Sequence, residues 1–183
     1  MKGATQCARR LKTLMRNLQR NYGNVGAPPV TDPITQMLLG ILARDTTETK
    51  ARDALDRLCA TVVDYNELRV IPPLELSDTL GGFPGARIKC EDISRALNKI
   101  FALYHVVSLD HVATMDRKSM LALLEDIDGL DPYSRARIRL FAFEKHAFPL
   151  DGPMLTYARQ VEIIDNKCTH AEAQAFLERH TKD

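Results

Sequence analysis

Apolar residues recur along this chain at spacings of three and four, the period of a helix with one buried face, while alternating strand patterns are scarce. Leu11, Leu14, Met15, Leu18 and Tyr22 form the first such stripe, and Gly23 ends it. After a linker, "NVGAPPV", Asp32 is placed to cap a helix with Pro33 at its first position, "PITQMLLGILA", apolar on most sides and so central. "TTETKARDALDRLCATVV" follows, capped by Thr46 or Thr47. A short helix is predicted near 73–80 and a long one over 87–104, with Ile93, Leu97, Ile100, Phe101 and Tyr104 on its inner face. Asp116 caps "RKSMLALLEDI", and Asp131, followed by Pro132, caps a helix over about 132–144. "HAFPL" reads as extended because Pro149 biases its predecessor away from helix. Two more helices are predicted near 152–164 and 169–181. The expectation is an all-α fold of nine or ten helices.

Composition narrows the function. The 183 residues are 45% hydrophobic and 27% charged with a net charge of +1, a globular mix without the overall excess of cations that marks many nucleic-acid binders. Any contact with DNA must therefore come from a local patch. No apolar run approaches the roughly 20 residues that span a bilayer, and the basic N-terminus lacks the apolar stretch of a secretory signal. An intracellular protein of the cytoplasm or nucleoid is expected. Cys7, Cys59, Cys90 and Cys168 are scattered, with no Cys-x-x-Cys pair to hold zinc or an iron–sulfur cluster, so reduced, buried thiols are expected. His105, His111, His146, His170 and His180 lack metal-ligand spacing and read as surface or boundary residues, so no metal site is expected. Arg9, Arg10, Lys12, Arg16 and Arg20 recur along the first helix, either as a phosphate-contacting face or as a solvated one.

The stretch "LLEDIDGLDPYSRARIRLFAF" (123–143) carries the sharpest question. A helix stops at Gly-Leu-Asp-Pro and another starts at once. The turn is either an ordinary helical hairpin or one that offers backbone N–H groups and a positive helix end to a phosphate. A helix over 132–144 is about 20 Å long, and an extended return over 145–150 covers about the same distance. Asp151 is therefore predicted to come back beside Tyr133. A carboxylate there either caps the next helix or serves chemistry by stabilising positive charge or activating a water.

These segments resemble one family. "IDGLDPYSRARIRLFAFEKHAFPLDGPM" is similar, without a gap, to the helix-hairpin-helix and Gly/Pro-Asp module of the endonuclease III-like DNA glycosylases. "ILARDTTETKARDALDRL" resembles that family's "LLSQNTTDxNxxKAxxxL" segment, and "GGFPGAR" its Gly-Phe loop. The resemblance covers most of residues 30–165. It implies a single unit of two helical lobes with a DNA-binding cleft. A central lobe over 30–150 would contain the hairpin (127–144), and helices within 1–25 and 151–183 would form a second, shortened lobe. It implies a DNA N-glycosylase of base excision repair, acting on flipped-out bases of double-stranded DNA as a monomer.

The family's catalytic aspartate falls on Asp151, and its Schiff-base lysine falls on Tyr133, which cannot form an imine. Some thymine-mismatch members have tyrosine there. Monofunctional cleavage without lyase chemistry is therefore implied. The side chain that enters the base stack falls near Arg44 and Asp45, so Tyr133, Arg44 and Asp45 are assigned to the base pocket. Gly129, Leu130 and Asp131 form the phosphate-facing hairpin, with Arg135 and Arg137 adding contacts. The glutamate of adenine-mismatch members falls on Gly40. Three departures stand out: Asp131 replaces the second hairpin glycine, Arg135 replaces a small residue, and the four-cysteine cluster is missing, so no iron–sulfur cofactor is expected. The alternative is a non-catalytic DNA-binding or scaffold paralogue that kept the fold.

Overall fold

The computed structural model describes residues 4–23 and 30–181; the expected linker at 24–30 lies outside them apart from Val30. Ten α-helices and one 3-10 turn, with no strand, make up the described residues: α1 (Ala4–Tyr22), α2 (Pro33–Ala43), α3 (Glu48–Cys59), α4 (Tyr65–Val70), α5 (Pro73–Leu80), α6 (Ala86–Tyr104), a 3-10 turn (Asp110–Thr114), α7 (Arg117–Asp126), α8 (Pro132–Phe141), α9 (Gly152–Gln160) and α10 (His170–His180). The all-α expectation holds. None of the described helices is long and apolar enough to cross a membrane.

Capping explains most of the starts. Asp32, Thr47, Asp116, Asp131 and Asp151 each accept a backbone N–H from the first turn of the helix they precede, satisfying donors that would otherwise be orphaned. Thr169 and Glu172 form a reciprocal capping box at α10. Two elements had no legible pattern: α4, whose six residues bury only Leu68, and the 3-10 turn, which buries only Val112. Too few positions are buried in either for a period to show.

Two helices end earlier than their sequences predict. α8 stops at Phe141 rather than near 144, and Glu144 takes φ +51°. The reversal lets Phe143 join the main core while its N–H still reaches the Ile138 carbonyl. α9 stops at Gln160 rather than near 164, with Glu162 at φ +55°. There Ile163 and Ile164 turn into the second core and both share the Ala158 carbonyl. In each case apolar burial just past the helix outweighs continued helical period.

Two apolar cores result. The larger joins α2 to α8, with α2 at its centre: Met37, Leu38, Ile41 and Leu42 have no exposure. The smaller gathers Leu11 of α1, Leu150, Leu155 and Ala158 around α9, and Ala173 and Leu177 of α10. α2 and α8 cross closely because Gly40 faces Ser134: a Cβ at Gly40 would sit 2.9 Å from the Ser134 Cα. No side chain of any size fits there, and this holds the first turn of α8 against the fold.

Candidate active site

The hairpin between α7 and α8 is built on a glycine. Gly129 has φ +85°, and a Cβ on it would lie 2.5 Å from the Asp92 carbonyl oxygen of α6. The turn is therefore pressed onto α6. Arg44, just past α2, locks it from the side. Its Nη1 lies 2.8 Å from Asp92 Oδ2, its Nη2 donates to the Gly129 carbonyl at 3.2 Å, and its Nε is 3.7 Å from Asp131 Oδ2. Asp92 is buried and also pairs with Arg95. Buried Lys89 holds the turn that carries Arg44 and Asp45, donating to the Leu42 and Arg44 carbonyls at 2.9 and 2.5 Å. Burial pushes the Lys89 amine below its ordinary pKa, with Asp45 opposing that and Arg44 adding to it. Asp45 itself is exposed at φ +55°, a backbone region that aspartate tolerates better than most residues.

The arginines of α8 do not share a face. Arg135 is half-buried, its Nε donating to the Asp131 carbonyl at 3.4 Å, beside a groove shared with α7 and α10. Arg137, assigned from sequence to a phosphate, is instead buried. It pairs with Glu48 through two 2.8 Å contacts, donates to Gln36 at 2.9 Å and reaches the Tyr133 hydroxyl at 3.3 Å. α8 is sandwiched between the main core and α10, so its arginines must point inward and pair, or lie along a groove. The Leu130 side chain likewise packs into the main core, and its N–H is engaged by the Ile127 carbonyl. Arg44, assigned from sequence to the base pocket, is held by Asp92 and Gly129.

The return segment after α8 is held from α10. Arg139 donates to the His146 carbonyl at 2.8 Å and pairs with Glu178. The Phe148 N–H donates to Glu178 Oε1 at 3.3 Å, and His146 Nε2 lies 2.6 Å from the Glu178 carbonyl. At the far end, His170 Nε2 is 2.8 Å from the Leu150 carbonyl. His146 and His170, read from sequence as surface or boundary residues, are half-buried and fasten the strap that delivers Asp151. The capping-box sequence at 169–172 signals a helix start, but nothing local says that this start faces Leu150.

A cleft of about 500 Å³ opens between the hairpin wall and the α9–α10 wall. Arg44, Asp45, Asp131 and Tyr133 line one side, and Asp151, Gly152, Thr169 and His170 the other. As the predicted return requires, Asp151 lines the same cleft as Tyr133 and the start of α8. Asp151 Oδ1 accepts the Met154 N–H at 2.7 Å, capping α9, and Oδ2 has no partner among the described residues. Both readings of this side chain are thereby compatible: one oxygen caps and one remains for solvent or a ligand. The Tyr133 ring is half-buried against the main core, with Arg137 at its hydroxyl. Since an arginine only donates, that hydroxyl acts as the acceptor and keeps its own hydrogen for another group.

No cluster of three or more His, Cys, Asp or Glu residues suited to a metal occurs among the described residues. Cys90 is sealed in the main core and Cys168 in the second, so the cysteines do not fit a shared cluster.

No protein-family model matches the sequence, and no curated protein matches it closely. Solved structures do. A trapped endonuclease III–DNA covalent intermediate superposes with a TM-score of 0.75 at 13% identity, over 94% of this chain and 77% of that one. A thermostable thymine-DNA glycosylase gives 0.65 at 15% identity, over 96% and 79%. The Clostridium acetobutylicum 8-oxoguanine glycosylase/lyase, in complex with double-stranded DNA containing cytosine opposite 8-oxoguanine, gives 0.72 at 12%, over 97% and 64%. The chain shares the fold of these structures.

Proposed function

We propose that this protein is a DNA N-glycosylase that excises a damaged or mismatched base without lyase chemistry. The observation that carries the reading is Asp151, a carboxylate with one unpartnered oxygen on a cleft large enough for a ligand. The unpartnered oxygen would face the sugar of an extruded nucleotide. There it would stabilise the positive charge that develops as the N-glycosidic bond breaks, or take a proton from the attacking water. Tyr133, Arg44 and Asp45 line the space offered to the base. Tyr133, at the position of the family's imine-forming lysine, has no amine to attack the sugar. Arg137 takes a positioning role, holding the Tyr133 hydroxyl from its pair with Glu48. Gly129, Leu130 and Asp131 would meet the DNA as the tip of the hairpin, with Arg135 behind them. Double-stranded DNA is the partner, and no iron–sulfur cluster enters the reaction.

One observation favours a second reading, a paralogue that binds without cutting. The N-terminus of α8, where a phosphate would dock, is already capped by Asp131 Oδ1 at 2.8 Å from the Ser134 N–H. A screen of duplexes bearing different lesions, read out as alkali-labile abasic sites, separates the two. Excision that disappears in Asp151→Asn and leaves no borohydride-trapped adduct supports the enzyme. Binding with every base left intact supports the paralogue, and a trapped adduct refutes the monofunctional assignment.

A further inference from the structure

The cleft is poor in free cations. Arg44 is shared between Asp92 and Asp131, Arg137 is paired with Glu48, and Asp45, Asp131 and Asp151 are all at the rim. A phosphodiester backbone passing the cleft meets more negative than positive charge there. We infer that the phosphate contacts are supplied by α1, along a stripe formed by Arg9, Lys12, Arg16 and Arg20. The inference rests on the DNA reading above and names the surface that would make it work.

The geometry of α1 supports this directly. At 100° per residue these four side chains fall within an arc of roughly 80°, and they span about 16 Å along the axis. All four are exposed, and none makes an ion pair within the described residues. α1 contains no acidic residue, so nothing on the helix offsets the stripe. The fifth cation, Arg10, stands to one side and ties α1 to Glu162 just past α9. Cys7 and Leu11 lie opposite the stripe and are buried, so in this half of the helix the apolar side is turned to the protein. Further along, Met15, Leu18 and Tyr22 are exposed beside Arg16 and Arg20, so an anionic lipid surface is the competing occupant and an outcome of the test below. A solvent-facing row of cations about 16 Å long, with no acidic residue among them, suits a linear polyanion.

The stripe begins beside α9, the helix that Asp151 caps. A groove of about 430 Å³ runs between α1 and α9, lined by Arg9, Thr13, Asn17 and Tyr157 among others. Tyr157 is half exposed and lies six residues, about 9 Å, along α9 from Asp151. A strand leaving the cleft over α9 therefore meets an aromatic side chain and then the cations of α1.

The experiment measures binding of a fluorescein-labelled duplex by anisotropy across a salt series, with the full chain. Each phosphate contact contributes about −0.9 to the slope of log K against log salt. Arg9→Gln/Lys12→Gln/Arg16→Gln/Arg20→Gln is expected to flatten the slope by about 3.6 and to weaken binding on the order of tenfold or more at 0.1 M salt. Arg57→Gln/Lys118→Gln, exposed cations on α3 and α7, is expected to leave the slope nearly unchanged. If the quadruple variant unfolds, Arg16→Gln/Arg20→Gln, confined to the exposed half of α1, is expected to flatten the slope by about 2. A wild-type protein that binds DNA with a slope insensitive to these changes overturns the stripe while sparing the DNA reading. Equal losses in the α3/α7 control overturn it too, as an effect of net charge. No binding by the wild type at low salt removes both, and so does binding only to phosphatidylserine vesicles.

Discussion

The two walls of the cleft are headed by the same device with different surroundings. Asp131 caps α8 and Asp151 caps α9, each through Oδ1 and with nearly equal distances, 2.8 and 2.7 Å. A proline stands in the first turn of both helices. Yet Asp131 Oδ2 faces Arg44 at 3.7 Å, within a lattice that also holds Asp92 and Gly129, whereas Asp151 Oδ2 has no partner within the described residues. One local motif thus yields a structural carboxylate on one wall and an available one on the other. What differs is what the rest of the fold brings up to each second oxygen.

Substitutions can test that contrast, beginning with the largest effect. Asp151→Asn is expected to lower base excision by about 10²–10⁴, the usual worth of a positioned general acid or base. Asp131→Asn is expected to retain excision. Both should melt close to the wild type, since asparagine caps as well as aspartate. Abasic-site formation and thermal unfolding check the pair, and comparable losses of excision at both positions would erase the contrast.

Next come the two glycines beside these caps. Gly129→Ala must adopt φ +85° and push a methyl into the Asp92 backbone, so a loss of about 2–4 kcal/mol is expected in denaturant unfolding. Gly152→Ala meets nothing within 4 Å and should stay within about 0.5 kcal/mol.

A third test separates the walls by pH. Burial pushes the Cys90 thiol, on the helix behind the hairpin wall, up to about 11 from 9.0. The native protein keeps this proton where the unfolded chain loses it. Stability is therefore full below pH 9 and is lost between about 9 and 11, by about 2–3 kcal/mol. Lys89, shifted down by burial, acts in the opposite sense as it discharges. Unfolding curves at pH 8 and 10.5 should show the net decline, and Cys90→Ala should remove the part due to the thiol. The smallest effect is expected at Asp45→Asn. It keeps the left-handed turn and removes one carboxylate from the cleft rim, so duplex affinity should rise about threefold by anisotropy.

Much of this is legible in the sequence alone. The caps at Asp32, Asp116 and Asp131 and the periods of α1, α2 and α6 mark their helices because each signal lies within a few residues of its effect. The helix-and-return arithmetic brought Asp151 to the mouth of the hairpin, since lengths along the chain are nearly fixed by backbone geometry. The ends of α8 and α9 are not legible locally because they depend on which core claims Phe143, Ile163 and Ile164. The role of His170 is not legible in the sequence because its partner, the Leu150 carbonyl, lies 20 residues away on another element.

By itself the amino-acid order determined the helices, their caps and the return of one acidic residue to the start of α8. These follow from hydrogen bonds and side-chain periods within single elements. Only the tertiary structure decided which charges are free. Arg137 is silenced by Glu48, 89 residues distant, and Arg44 is engaged by Gly129, 85 residues distant. The energy of a charge depends on its neighbours and on how much water it keeps, and both are set by packing between elements far apart in the chain.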